Sequence, residues 1–246
     1  MRRAFWATGL ACAMGVVFSL GQTVSAGSNF SFDFVAAEPS SYDHATGGGS
    51  FNFRNINTDV VESLEGGDFA CLDIVTFLTQ IKVDAGVVGT QTVRLNFEWT
   101  AHSTGQQGVA LVDNDFPTTS GTSAVINTPE ANVSDGPPPA TASVFFEGTS
   151  GTVFVKPAST LRSVDVGGLN AGDTVVLRTD VRIVCNGQSP TGNMQGRLKS
   201  IDLVSAPGGA VVQASIPGGD QTIPFKHVGD IKPPACDPKT DPNCKP

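Results

Sequence analysis

Gln91-Thr92-Val93-Arg94-Leu95-Asn96-Phe97-Glu98-Trp99-Thr100-Ala101 alternates in polarity without a break. In an extended chain Val93, Leu95, Phe97 and Trp99 share one side, while Thr92, Arg94, Asn96, Glu98 and Thr100 share the other. One buried face and one wet face is the pattern of an antiparallel sheet. A second such run spans Asp173 to Cys185, with Val175, Leu177, Val181, Ile183 and Cys185 on one side and Arg178, Asp180 and Arg182 opposite. Cys71 to Val83 is apolar on both sides and reads as a central strand.

Working outward, shorter strand candidates fall at 29–35, 51–56, 108–112, 142–147, 152–156, 194–204, 209–215 and 221–227. Turn chemistry separates them: Gly47-Gly48-Gly49, Gly66-Gly67-Asp68, Asn186-Gly187, Pro207-Gly208-Gly209 and Pro217-Gly218-Gly219. Helical spacing of apolar residues is scarce. The fold class expected is therefore all-β, an antiparallel β-sandwich of the jelly-roll or immunoglobulin-like kind.

The ends of the sequence bear on compartment. Arg2 and Arg3 precede an apolar run from Ala4 to Leu20, and Val24-Ser25-Ala26 offers the small residues that a signal peptidase reads. Residues 1–26 are expected to be a signal peptide, cleaved before Gly27, and the mature protein to be secreted or held at the cell surface. Residues 27–230 are expected to form one sandwich, and 231–246 a Pro/Cys-rich tail. No membrane span is expected after cleavage. Cleavage removes two of the 15 basic residues and none of the 23 acidic ones, so 13 face 23 and the mature net charge is −10. Such a surface repels nucleic acid, which is excluded as a partner.

Asp113 through Ala140 breaks the pattern: it is rich in Thr, Ser, Asn and Pro and ends in Pro137-Pro138-Pro139. It reads as a domain linker or as one long surface loop near 113–141. Cysteines favour the loop. Cys12 leaves with the signal, and Cys71, Cys185, Cys236 and Cys244 remain, which in an exported chain implies two disulfides. Cys236 and Cys244 flank a polar turn-rich stretch and can close a local ring. Cys71 and Cys185 lie in the apolar register of the two long strands, and a bridge between them would join the halves on either side of 113–141.

Sites of chemistry are few. Asp113, Asn114 and Asp115 place oxygen ligands together, so calcium is the cation to consider, although the twelve-residue calcium loop is absent. No cofactor is otherwise expected. His44, His102 and His227 are far apart, and no Gly-x-Ser-x-Gly context exists for a serine nucleophile. Cys185-Asn186-Gly187-Gln188 has the spacing of an internal thioester, but reads more simply as a disulfide cysteine before an Asn-Gly hairpin. Trp99 has an inward register and reads as core rather than as a sugar platform. Asp68 and Asp173, each after a glycine, read as turn residues. Asn29-Phe30-Ser31 and Asn132-Val133-Ser134 match the N-glycosylation pattern.

Gly168-Leu169-Asn170-Ala171-Gly172-Asp173-Thr174-Val175-Val176-Leu177 resembles the GL-x-x-GD-x-V strand opening of β-sandwich modules in bacterial and archaeal surface proteins, and Glu65-Gly66-Gly67-Asp68 echoes it. Signal, sandwich and lack of an anchor together are similar to secreted fibre subunits of the TasA and camelysin group. The resemblance implies a non-enzymatic structural protein, self-assembling into an extracellular fibre or matrix, and carries no catalytic residue onto this chain. A ligand-binding sandwich for glycans, calcium-assisted, ranks second, and a secreted hydrolase third. Phe30, Phe32 and Phe34, on one face of the first mature strand, are the expected assembly contacts. They either close the sandwich of their own domain or complete a neighbour's open sheet by strand exchange.

Overall fold

A computed structural model describes residues 29–41, 58–102, 109–113, 122–126, 141–145, 158–185 and 193–233. The signal segment, Cys236, Cys244, Asn114, Asp115 and Asn132 lie outside these residues, as do the strand candidates 51–56 and 152–156.

Thirteen strands form within them: β1 (Phe30–Ala37), β2 (Val60–Val61), β3 (Leu64–Glu65), β4 (Ile74–Val83), β5 (Gln91–His102), β6 (Val109–Asp113), β7 (Thr122–Ile126), β8 (Thr141–Phe145), β9 (Ala158–Leu169), β10 (Thr174–Cys185), β11 (Met194–Val204), β12 (Val211–Gln213) and β13 (Gln221–Lys226). They make two sheets. The first runs β2-β1-β4-β10-β6, with β7 also on β10. The second runs β3-β13-β11-β5-β9-β8, with β12 also on β11. Every pairing is antiparallel except β3 with β13. The all-β sandwich expected from the sequence is the fold observed. Strands from both sides of residues 113–141 interleave in each sheet, and β7 lies inside the stretch read as loop.

Alternation places the core as expected. Val93, Leu95, Phe97 and Trp99 of β5 are buried, and so are Val175, Leu177, Val181 and Ile183 of β10. Four rings meet between the sheets. Phe77 of β4 stacks on Trp99 at 4.9 Å, Trp99 on Phe97 at 5.3 Å, and Phe34 of β1 on Phe77 at 5.4 Å. Gly196 of β11, in register with Trp99, makes room for them: a Cβ there would lie 2.5 Å from Phe77 Cζ and 3.0 Å from Trp99 Cζ3.

β4 is buried on both faces, as a central strand should be. On its outer side the Thr76 hydroxyl donates to Asp180 Oδ1 at 2.7 Å, and Arg178 Nε donates to the same oxygen at 2.9 Å. Burial raises the Asp180 carboxyl above the ordinary aspartate range, against the opposing pull of Arg178 and the Thr76 bond.

Cys71 and Cys185 are bridged, with Cα atoms 5.8 Å apart and a sequence separation of 114. The bridge lies within the first sheet, at the end where β10 finishes and β4 begins. There the Leu72 amide donates to the Ile183 carbonyl and the Ile183 amide to Asp73. Since the Cys185 sulfur is committed to this bond, it is not available for a thioester with Gln188.

Three measurements follow. Replacing Cys71 and Cys185 together by serine is expected to cost about 2–5 kcal/mol in chemical denaturation. Gly196→Ala pushes a methyl into the ring cluster and is expected to cost about 1–3 kcal/mol by the same measurement. A raised folded pKa means that Asp180 contributes most below its unfolded value and less as pH rises through the folded one. The stability of wild type relative to Asp180→Asn should therefore grow on acidification from about pH 7 to about pH 4. A difference that stays flat or shrinks rejects the assignment.

Candidate functional site

The phenylalanine-bearing strand singled out in the sequence has two different halves. From Phe34 to Ala37 it is buried, with Phe34 2% exposed and within 5.9 Å of the Phe97 ring. Phe30 and Phe32 are only half-buried and stack on each other at 6.0 Å. Ser31 and Asp33 face outward. Within this one chain, then, β1 packs against β4 and the ring cluster of the sandwich.

One edge of β1 carries a full ladder to β4, in register from Phe30 with Val83 to Ala36 with Phe77. Peptides alternate in direction along a strand, so those of Phe30, Phe32, Phe34 and Ala36 point away from β4. On that side β2 pairs only with Ala36 and Ala37, because the chain leaves for β3 of the second sheet after Val61. Among the described residues, what meets the rest of the edge is a side chain. The Phe34 amide donates to Gln221 Oε1 at 2.8 Å, and Gln221 Nε2 donates to the Phe32 carbonyl at 3.2 Å and the Gly218 carbonyl at 2.6 Å. The primary amide thus copies the donor–acceptor pair of a peptide and closes the corner between β1 and β13. Gly218 has φ +109° and lies against Phe32, where a Cβ would come within 2.6 Å of the ring. The sequence pointed to the three phenylalanines but not to Gln221. Its only signal was a position just after Pro217-Gly218-Gly219-Asp220, where a strand begins.

The outer face of the second sheet is the other candidate. Across β9, β5 and β11 it presents polar groups throughout, but they bond one another. Arg94 grips Asp165 through Nε at 2.7 Å and Nη2 at 3.0 Å, and the Gly208 amide donates to the same carboxylate at 2.8 Å. Arg94 Nη2 also reaches the Gly209 carbonyl at 3.3 Å, so the turn after β11 is folded down over this ion pair and Asp165 is wholly enclosed. Beside it, Asn96 accepts from Ser163 and donates to Ser200 and Asp202. At the far end Glu98 sits 3.5 Å from Arg197 and 3.8 Å from Lys199. No aromatic residue of β5 contributes to this face, since Phe97 and Trp99 point into the core as expected.

The remaining sequence candidates scatter. Asp113 is the last residue of β6, opposite Val181, and its two proposed companions lie outside the described residues. His44 is also outside them, His102 closes β5, and His227 holds Glu65 Oε2 at 2.9 Å. That bond lowers the Glu65 pKa. Asp173 does serve as a turn residue, accepting from the Asn170 amide at 2.8 Å. Among the described residues no three His, Cys, Asp or Glu side chains converge to hold a metal, and no helix is long and apolar enough to cross a membrane.

The sequence matches no protein-family profile and no curated protein. Among solved structures the chain is similar to the CBM3a-L domain with flanking linkers from scaffoldin cipA of the cellulosome of Clostridium thermocellum. The identity is 13%, the match covers 79% of this chain and 95% of that one, and the TM-score is 0.30.

Proposed function

We propose that the protein acts outside the cell as a non-catalytic structural subunit, and that copies join by exchanging β1. The observation that carries this reading is the one-sided attachment of that strand. Among the described residues, β1 is bound by a backbone ladder to β4 alone along Phe30–Val35, while its other edge is met by one glutamine side chain. Releasing it therefore breaks the ladder to β4, the short pairing of Ala36 and Ala37 with β2 and one side-chain clasp, and leaves the β4–β10 ladder and the second sheet in place. A neighbour's β1 can supply the same bonds and bring the same phenylalanine into the ring cluster, so exchange conserves the native contacts. A head-to-tail exchange that does not close on itself makes a fibre. The Cys71–Cys185 bridge supports the extracellular placement, because such bonds persist in oxidising compartments.

The test uses mature chain and a chain lacking residues 27–35. Loss of Phe34 alone is expected to cost about 3–5 kcal/mol, so the shortened chain should be unfolded or nearly so. Adding a peptide of residues 27–38 should restore cooperative unfolding. The intact chain should form assemblies in sedimentation that the shortened chain, with or without peptide, does not. An intact chain that stays monomeric at every concentration, with a shortened chain that the peptide does not rescue, rejects the proposal.

A further inference from the structure

We infer that this sandwich is built to carry tension along its long axis, with β1 and β13 as the force-bearing pair. It rests on the structural-subunit reading only for the source of the load.

The directions of the strands make the case. The turn 84–90 joins β4 to β5, and the turn 170–173 joins β9 to β10, so both lie at one end of the sandwich. The start of β1 is at that same end: Phe30 is in register with Val83, and the Asp84 amide donates to the Asn29 carbonyl. The last described residues are at the other end. Lys232 forms a parallel bridge with Ala70, its carbonyl accepts from the Cys71 amide, and its amide donates to the Phe69 carbonyl, beside the disulfide. The described part of the chain therefore begins at one end and finishes at the opposite one. The ten residues of β4 set the separation at about 33 Å.

Following the antiparallel pairings from β1 through β4 and β10, and from β5 through β11 to β13, shows that β1 and β13 run in the same direction. They meet at the sandwich corner through Gln221. Pulling the two ends apart slides these strands past each other lengthwise. Ladder hydrogen bonds lie across the strand axis, so lengthwise sliding loads the seven β1–β4 pairs and the Gln221 clasp together rather than one after another. Beyond them, the disulfide carries the load from Cys71 straight to Cys185, and the chain between them, a sequence separation of 114, is spared. The bridge thus makes most of the core a covalently shunted unit, and the terminal strands the element that yields.

Single-molecule pulling on the mature chain tests this. One tether geometry uses the two termini. The other uses the N-terminus and a tag inserted at Val88, which is 88% exposed on the turn at the same end as the start of β1. The second geometry peels the same β1–β4 ladder pair by pair. Axial pulling is expected to need a clearly higher force than peeling; equal or lower axial force overturns the inference. Gln221→Ala should raise the axial unfolding rate roughly tenfold, since forced unfolding follows the unfolding rate and both hydrogen bonds that tie this side chain to β1 are lost. An unchanged rate removes the clasp from the load path and overturns its assigned role. Reducing the disulfide should lengthen each axial unfolding event by about 400 Å, the span of the released loop. No added length means that the bridge lies outside the load path, which also overturns the inference. A chain that never assembles yet resists axial force sinks strand exchange and leaves this proposal standing, whereas an assembling chain that yields equally in both geometries does the reverse.

Discussion

The contact on which the rest of the fold depends is the stack of Phe34, Phe77, Trp99 and Phe97. It joins β1 and β4 of one sheet to β5 of the other, with rings 4.9–5.4 Å apart along the chain of contacts. Offset ring pairs contribute about 0.5–1.5 kcal/mol each beyond the area they bury. The cluster also sets what its neighbours can be. β11 must carry a glycine at position 196, because no side chain fits between its backbone and the Phe77 and Trp99 rings. The price of this packing is polar: Trp99 Nε1 and the hydroxyls of Thr79 and Thr179 are enclosed and find no hydrogen-bond partner among the described residues. Each such group costs about 1–3 kcal/mol, so ring packing and apolar burial in this core outweigh an unmet hydrogen-bond demand.

The outer face of the second sheet solves the opposite problem. Asp165 is a charge with no access to water, and it is tolerated because Arg94 and the Gly208 amide satisfy it from two directions. Once formed, this clasp fixes the turn after β11 against β9, where Pro207 lies over Gly167. An ion pair of this kind is a poor source of net stability but a strict constraint on geometry, since breaking one partner strands the other. The polar side chains named on this face are for that reason already committed to each other.

Legibility in the sequence followed the strength of the local pattern. β5 and β10 could be read at once, because four or more apolar residues fall on one side of each with polar residues opposite, and burial obeys that division. The same logic paired Cys71 with Cys185, both in inward register. β9 escaped notice: its twelve residues, Ala-Ser-Thr-Leu-Arg-Ser-Val-Asp-Val-Gly-Gly-Leu, hold few large apolar groups and carry a glycine pair just before the last one, so sheet neighbours rather than pattern define it. β7 was hidden inside a stretch whose composition signals loop. At the candidate site, three phenylalanines at alternate positions announced a buried face, while the residue that holds the edge of that strand lies 187 positions away in sequence from the amide it accepts. Period-two alternation reports which way a side chain points within its own strand, and carries nothing about which distant polar group meets a particular peptide.

That distant clasp has a structural cause. β1 and β13 belong to different sheets, and twist turns facing sheets away from the alignment that a backbone ladder needs. A ladder between them is therefore replaced by a group with its own reach, and a primary amide is the side chain that both donates and accepts as a peptide does. The consequence is a strand that is weakly held against one kind of displacement and strongly against another. Thermal opening can release β1 from its end, one ladder pair at a time, which suits exchange between copies. Load along the strand meets all of its bonds at once. In the exchanged chain of subunits proposed above the two properties would reinforce each other: a transferred β1 would make in its neighbour the contacts it makes at home, so tension passing from copy to copy would run through the same sheared strand.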